Sequence, residues 1–259
     1  LRSAQVIVAD NASGDGSVEA VRSKFPRVEA LSSDSNRGVA GFNSGAARAR
    51  GDLVLLLDDD ARPDAGAIRK AVQALEANPA LGAVALNPRH PKSGAGEWSF
   101  AERVAEPRLD WPVMGCGNLV RREVWERVGG YEEAFFLYRN DTDLAMKVLG
   151  AGYGVYFDPA LVVWHDSPAA ARKSTRWFRL ATRNWIWVCR RHGRGLAGLS
   201  AAILGAVWAH KLAGLSPIRH WQAASGWLAG MLGATPALPR GIRRDGAPIR
   251  TLLRLRLGR

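Results

Sequence analysis

Residues 53–60 read LVLLLDDD, five apolar side chains followed at once by three adjacent carboxylates. Five apolar residues in a row suit a strand covered on both faces, as in the interior of a parallel sheet. Asp58, Asp59 and Asp60 then emerge at the carboxyl edge of that sheet, which is where open α/β folds bind ligands. Carboxylates this close resist full ionisation unless water, a cation or basic side chains offset their charge. The plain alternative is a solvated turn whose acids cap the next helix.

The segments around the run alternate in the same manner. AQVIVAD is a short β-rich stretch from Ala4 to Asp10, followed by the Gly-rich turn NASGDGS and a helical pattern in SVEAVRSKF. RVEALSS is a weaker strand, and NRGVAGFNSGAARARG leads into a small-residue helix from about Phe42 to Arg50. RPDAGAIRKAVQALEANP is amphipathic, with Ile68, Val72 and Leu75 on one side, and LGAVALNPR is the next strand. The stretch RHPKSGAGEWSFAERVAEPRLD has no sustained period and is expected to be irregular over a sheet edge. Two further units follow: WPVMGCGNLVRREVWERVGG, then an acidic turn opening a helix from about Asp141 to Leu149, with strands GVYFDP and LVVWH after it. This order predicts an α/β domain with a mostly parallel sheet.

Beyond Asp166 the pattern becomes helical, placing a domain boundary near Ser167 to Arg172. The expected domains are residues 1–168 and a helical, basic, Trp-rich extension over 169–259. A chain of 259 residues that is 47% hydrophobic can bury a core of enzyme size. Cys116 and Cys189 have no CxxC spacing, so neither a disulfide framework nor a structural zinc site is indicated, and a reducing compartment fits. The opening LRSAQVIVADNASG has no charged segment followed by an apolar one, so no secretory signal is expected there.

The net charge of +12 is unevenly held. From Asp166 to Arg259 there are 17 Lys and Arg against two acids, a net of +15, while the preceding residues carry 19 basic and 22 acidic side chains, a net of −3. The same last third holds six of the ten tryptophans. From Arg172 to Arg194 cations alternate with Trp177, Phe178, Trp185, Ile186 and Trp187 and no acid occurs. This reads as a surface that docks on anionic lipid headgroups; the alternative is that the arginines pair with acids of the first domain while the tryptophans fill its core. Gly195 to Ala209 is uncharged for 15 residues, short of the ~20 that a spanning helix needs, so an in-plane or buried helix is expected.

The polar turns after the strands, at Asp10 to Ser13, Asp58 to Asp60, Asn140 to Asp143 and His165, converge on one edge in such a fold. Acids at spacing two, with a His nearby, suit a hard divalent cation completed by phosphate and water.

These stretches carry a resemblance. VIVADNASGDGSVEAVR, NRGVAGFNSGAARARGDLVLLLDDDA, GCGNLVRREVWERVGGYEEAFFLYRNDTDLAMKVLGAGY and VVWH together resemble the family-2 glycosyltransferases of GT-A fold, especially rhamnosyltransferase-like bacterial members. The resemblance implies inverting, Mg²⁺- or Mn²⁺-dependent transfer of a sugar, such as rhamnose, from a dTDP- or UDP-sugar donor to a cell-envelope glycan or polyprenyl-linked acceptor. It implies an enzyme in the cytoplasm, peripheral on the inner face of an anionic membrane, with no nucleic acid as partner. By the same resemblance Asp58 and Asp60 are the outer residues of a DxD motif, Asp60 contacting the metal and Asp58 the ribose or the metal's water. Asp10 contacts the base, Asp141 is the general base, and His165 contacts metal or phosphate. Asn118 of GCGN approaches the acceptor, and Asp143 is the alternative working carboxylate.

Asn140 stands where the family commonly has Glu, and the family's opening strand and helix have no counterpart before Ala4. Each candidate also has a plain role: Asp10 as an Asx-turn, Asp141 and Asp143 as first-turn helix acids, His165 as a polar strand end, Cys116 as a small apolar residue. A different class of function, a non-catalytic membrane-surface or nucleic-acid-binding protein on a degenerate transferase domain, would use the basic tail alone.

Overall fold

The computed structural model describes residues 4–166, 173–244 and 246–258. The expected boundary at 167–172 lies outside the described residues. Among those described, strands β1 (Ile7–Asp10), β2 (Glu29–Ser32), β3 (Leu53–Leu56), β4 (Ala61–Pro63), β5 (Leu81–Arg89), β6 (Asn118–Arg121) and β7 (Gly154–His165) interleave with five helices. These are α1 (Ser17–Lys24), α2 (Gly41–Ala46), α3 (Ala65–Ala77), α4 (Arg122–Val128) and α5 (Asn140–Gly150). Four longer or peripheral helices follow: α6 (Thr175–His192), α7 (Gly195–Ala213), α8 (Pro217–Leu232) and α9 (Ala247–Leu257).

The α/β class and the helical C-terminal part are as expected, but the strands form a mixed sheet. β1 and β2 pair in parallel on their own, while the main sheet runs β3-β6-β5-β7-β4. Only β5 and β7 pair in parallel there; β6 inserts antiparallel between β3 and β5, and β4 runs back along β7. Apolar runs alone cannot separate these cases, because β6 is as buried as a parallel strand and equally free of alternation. The two stretches GVYFDP and LVVWH are one strand, β7, whose register against β5 shifts between Ala85 and Asn87. There the Asn87 side-chain amide donates to the Pro159 carbonyl at 2.9 Å.

Local sequence accounts for the elements that carry the site. The Asp64 carboxylate caps α3 by accepting from the Gly66 and Ala67 N–H groups, and the face Ala67, Ile68, Ala71, Leu75 is buried. Burying Ile68 and Leu75 contributes about 1.5–3 kcal/mol each. α4 stops where Gly129 takes φ 74°, a left-handed cap open to glycine.

The C-terminal helices share a core with the sheet. Val120 and Phe157 of the sheet, Leu144 and Met146 of α5, Trp185 and Ile186 of α6 and Ile249 and Leu252 of α9 belong to one buried cluster. In α6, Trp185, Trp187 and Arg191 are buried, and Arg191 pairs with Glu132 and Asp143. In α6 the tryptophans Trp185 and Trp187 thus fill the core and Arg191 is paired internally, while Arg176, Arg179 and Arg190 stay exposed. α8 lies close on α6 because Gly226 and Gly230 face it; a Cβ at Gly226 would stand 2.2 Å from the Arg179 carbonyl oxygen. α7 is long and apolar enough to cross a membrane by length and composition, yet only 28% of its apolar window is buried.

Candidate active site

The acidic triplet leaves β3 at the sheet edge and turns directly into β4. Antiparallel pairing of β4 with β7 sets Ala61 opposite His165, and the Asp166 N–H donates to the Asp60 carbonyl at 3.0 Å. This register is what brings the triplet to the histidine. His165 Nε2 lies 2.9 Å from an Asp60 carboxylate oxygen and 3.9 Å from one of Asp58. On the other side of the ring, Nδ1 hydrogen-bonds the Glu97 carboxylate.

Cys116 completes the group: one ligand atom each of Asp58, Cys116 and His165 lie within 4.8 Å of one another. A hydrogen bond with Cys116, then one with Glu97, hold the His165 ring's pKa up to about 11 against the opposing effect of burial. Burial, offset by the charge of His165 and reinforced by Asp60 and Asp59, pushes the Asp58 carboxyl above its ordinary range. His165 thus offsets the charge of the opening triplet as an imidazolium; a divalent cation would take over that charge and, with the proton lost, the Nε2 lone pair. The oxygen and imidazole donors converge as a divalent cation requires, with carboxylates and one nitrogen that suit Mn²⁺ as well as Mg²⁺. Glu97 holds the far ring nitrogen, the usual arrangement behind a metal-binding histidine.

Asp141 stands in the first turn of α5, half-buried. Burial pushes its carboxyl up to about 6 despite the nearby charge of Arg139, and the charge of Asp58 adds to the rise. The phenol of Tyr131 is raised by burial first and then by Asp141 and Asp58, so both carboxylates neighbour one buried ring. The backbone entering α5 is unusual: Phe136, Tyr138 and Arg139 all take positive φ, a conformation that costs non-glycine residues energy and clusters at functional sites.

Of the remaining candidates, Asn118 joins this group through Tyr131, while Asp10 and Asp143 make other contacts. Asp10 ends β1 and accepts from the Ser13 N–H at 3.1 Å, an Asx-turn. Asn118 is fully buried; its amide accepts from the Gly115 N–H at 3.0 Å, donates to the Gly115 carbonyl and reaches the Tyr131 hydroxyl. Asp143 faces away from the cleft, at 0% exposure, bound to His192 at 2.8 Å and Arg191 at 3.1 Å, with Lys147 at 3.6 Å. Glu97, Cys116 and Tyr131 are site residues that no motif announces. Glu97 lies in the stretch without period, and Cys116 reads as a buried apolar residue until the fold sets it beside His165.

Comparison with known proteins identifies the family and the fold. The sequence model described as "Glycosyl transferase family 2" matches residues 2–144. The "N-acetylglucosaminyl-diphospho-decaprenol L-rhamnosyltransferase" of Mycobacterium tuberculosis is 26% identical over 214 residues, covering 66% of this chain and 69% of the relative. "Rhamnosyltransferase WbbL" of Escherichia coli is 29% identical over 82 residues, 30% of this chain and 31% of the relative. Among solved structures, the Pyrobaculum calidifontis mannosyltransferase PcManGT, in complex with GDP-Man and Mn²⁺, is 23% identical with a TM-score of 0.58 over 98% of this chain and 70% of that one. Staphylococcus aureus TarS (residues 1–349) shares the fold at 13% identity, TM-score 0.60, over 87% of this chain and 71% of that one. A family match across more than half of the chain, on a GT-A fold whose sheet edge gathers Asp58, Asp60 and His165, makes this chain a glycosyltransferase belonging to Glycosyl transferase family 2.

Proposed function

We propose that the protein transfers a sugar, rhamnose, from a dTDP- or UDP-linked donor onto a polyprenyl-diphosphate-linked glycan, with inversion and with a divalent metal. The carrying observation is the convergence of Asp58, Asp60 and His165 at the sheet edge, with Asp141, raised to about 6, near enough to feel the charge of Asp58. Rhamnose and the lipid diphosphate acceptor follow the M. tuberculosis relative's name.

Asp60 and His165 would hold the metal with Asp58 beside them, and a bound Mn²⁺ or Mg²⁺ would offset charge growing on the departing diphosphate. Asp141 accepts the proton of the acceptor hydroxyl as that oxygen attacks the anomeric carbon and the carbon–phosphate oxygen bond breaks. One carboxylate suffices for such a single displacement, and the attack from the face opposite the leaving group inverts the centre. A raised pKa suits Asp141 to this task, because a base works best near the ambient pH. Asp10 lies toward the nucleotide end, and the Asn118 turn shapes the acceptor side by holding the 115–118 backbone. Asp143 is assigned to scaffolding. Residues 1–168 provide chemistry and 169–259 the acceptor and membrane side, as functional rather than separately folding halves. The outward stripe of α7, with Leu196, Leu199, Ile203 and Val207 exposed, rests on the inner face of the membrane.

Calorimetry of UDP- and dTDP-sugars in the presence of Mn²⁺, followed by donor hydrolysis, tests the reading. Binding that disappears with chelator is expected. Absence of both binding and hydrolysis across these donors would remove the metal-dependent reading.

A further inference from the structure

The backbone that delivers Asp141 is strained over several residues. Phe136 takes φ 63° and ψ −71°, and the Leu137 N–H donates to the Phe135 carbonyl at 2.8 Å. These are the marks of a γ-turn of the rare, strained kind. Tyr138 and Arg139 follow with φ 70° and 66°, in the left-handed region that side chains disfavour. α5 begins at the next residue and carries Asp141 in its first turn. Such backbone persists only where its surroundings over-determine it.

Helix α6 supplies most of that constraint. Asn184, 0% exposed, donates its side-chain amide to the carbonyls of Phe135 at 2.9 Å, Leu137 at 2.8 Å and Tyr138 at 2.8 Å. An amide has two N–H donors, so one of them is shared between two carbonyls. Its own oxygen accepts from Arg183 Nε at 2.9 Å, which fixes the way the amide faces. Arg183 Nη2 adds bonds to the carbonyls of Ala134 at 3.0 Å and Phe135 at 3.1 Å. The Phe136 carbonyl is held from the other side, by the Val39 N–H at 2.8 Å. Gly38 permits that approach, since a Cβ there would stand 2.1 Å from the Phe136 oxygen. Every carbonyl from Ala134 to Tyr138 is thus bound, four of the five by two adjacent side chains of α6.

We propose that Asn184 is a positioning residue for sugar transfer: with Arg183 it locks the 135–139 backbone in the conformation that aims the Asp141 carboxylate. The assignment rests on the reading of Asp141 as base. Neither Asn184 nor Arg183 bonds to Asp58, Asp60 or His165 among the described residues, so donor and metal binding do not depend on them. Without the amide, Tyr138 and Arg139 are free to leave the left-handed region, and the start of α5 moves with them. A misplacement on the order of 1 Å costs about 100-fold in rate.

Donor hydrolysis across pH, and calorimetry of UDP with Mn²⁺, are measured on the full chain and on Asn184→Ala and Arg183→Gln. In Asn184→Ala, kcat is expected to fall about 10–100-fold, with donor KM and UDP affinity within about twofold of the parent. The midpoint of the pH profile should also fall below that of the parent, because loosening the loop relieves the burial that is the first cause of the raised Asp141 value. The charges that reach Asp141, those of Arg139, Asp58 and Arg256, are kept in both variants. A role in folding alone would lower kcat with the folded fraction and leave the midpoint in place. Arg183 is half-buried and pairs with no carboxylate among the described residues, so Arg183→Gln strands no buried charge. It loses the bonds to Ala134 and Phe135 and the one that orients Asn184, for a fall in kcat of about three- to tenfold, and it decides the case if Asn184→Ala is unstable. Parent-like kcat in the folded variants, or a loss of kcat with the midpoint unmoved, overturns the assignment. Full turnover in Asp141→Asn would sink the base reading and this assignment with it, whereas normal turnover in Asn184→Ala beside an inactive Asp141→Asn would sink the positioning role alone.

Discussion

His192 of α6 donates its Nε2 hydrogen to the Asp143 carboxylate of α5 at 2.8 Å, with both side chains buried. Burial alone would raise Asp143, but the bond from His192 and the charges of Lys147 and Arg191 outweigh it and hold the carboxyl below its ordinary range. His192 is pushed down, burial first, so it is a neutral donor while Lys147 and Arg191 supply the positive charge. Asp143 therefore ties the helix that carries Asp141 to the C-terminal part of the chain.

Acid should loosen that tie. A depressed His takes its proton in the unfolded chain first, so its stabilisation fades as pH falls below 6.5, and that of Asp143 fades as pH falls below 3.8 toward its lower folded value. Thermal midpoints should fall on acidification from neutrality, most steeply at the low end. Asp143→Asn should be destabilised by about 3–5 kcal/mol at pH 7, since Lys147 and Arg191 lose their counter-charge in the interior. Denaturant titration checks this; a variant as stable as the parent would deny the cluster its structural role.

Asp141→Asn should keep fold and donor affinity while turnover drops about 100-fold or more. In the parent, turnover should rise with pH through about 6 and level off above, because the carboxyl is raised to about that value and works only when ionised. A profile already flat from pH 5 upward would mean that another group takes the proton.

Glu97 is expected to matter without touching substrate. Glu97→Gln should weaken Mn²⁺ affinity about 10–100-fold, as loss of a supporting partner does, and His165→Ala by at least as much. Electron paramagnetic resonance of free Mn²⁺ in the presence of UDP reads this directly, apart from turnover. Equal Mn²⁺ affinity in the parent and both variants would place the metal elsewhere.

The exposed apolar stripe of α7, flanked by the exposed cations Arg194 and Lys211, should bind anionic vesicles, with affinity falling as salt shortens the screening length from ~10 Å at 0.1 M to ~3 Å at 1 M. Leu199→Asp and Ile203→Asp lie on the surface, so they should spare stability and weaken vesicle binding about tenfold each, the worth of one buried apolar side chain. Sedimentation with neutral and anionic vesicles separates the cases, and equal binding to both, or to neither, contradicts an electrostatic component.

The part of the site that can be read in the sequence is the part built on contiguous pattern. The apolar run before Asp58 announces a sheet edge, and LVVWH announces a second strand ending in His165, so their meeting follows from topology. Glu97 cannot be read, since its stretch has no period and its partner is 68 residues away. The burial of Asp143 is equally silent, because His192 lies 49 residues on and a first-turn acid looks the same whether solvated or enclosed. The Arg and Trp content of α6 misleads in composition, since counting charges does not show that Trp185 and Trp187 face the core.

The core shared by sheet, α5, α6 and α9 also bears on how such a chain can be recombined with a relative. A recombinant that joins residues 4–166 to another relative's C-terminal helices would inherit Asp143 and Lys147 but not Arg191 and His192, and would leave the Leu144 and Met146 side without its complement. Crossovers are thus compatible only when α5 travels with the helices it meets. The unit that such a recombinant must keep together begins upstream of Asn140, at the entry to α5.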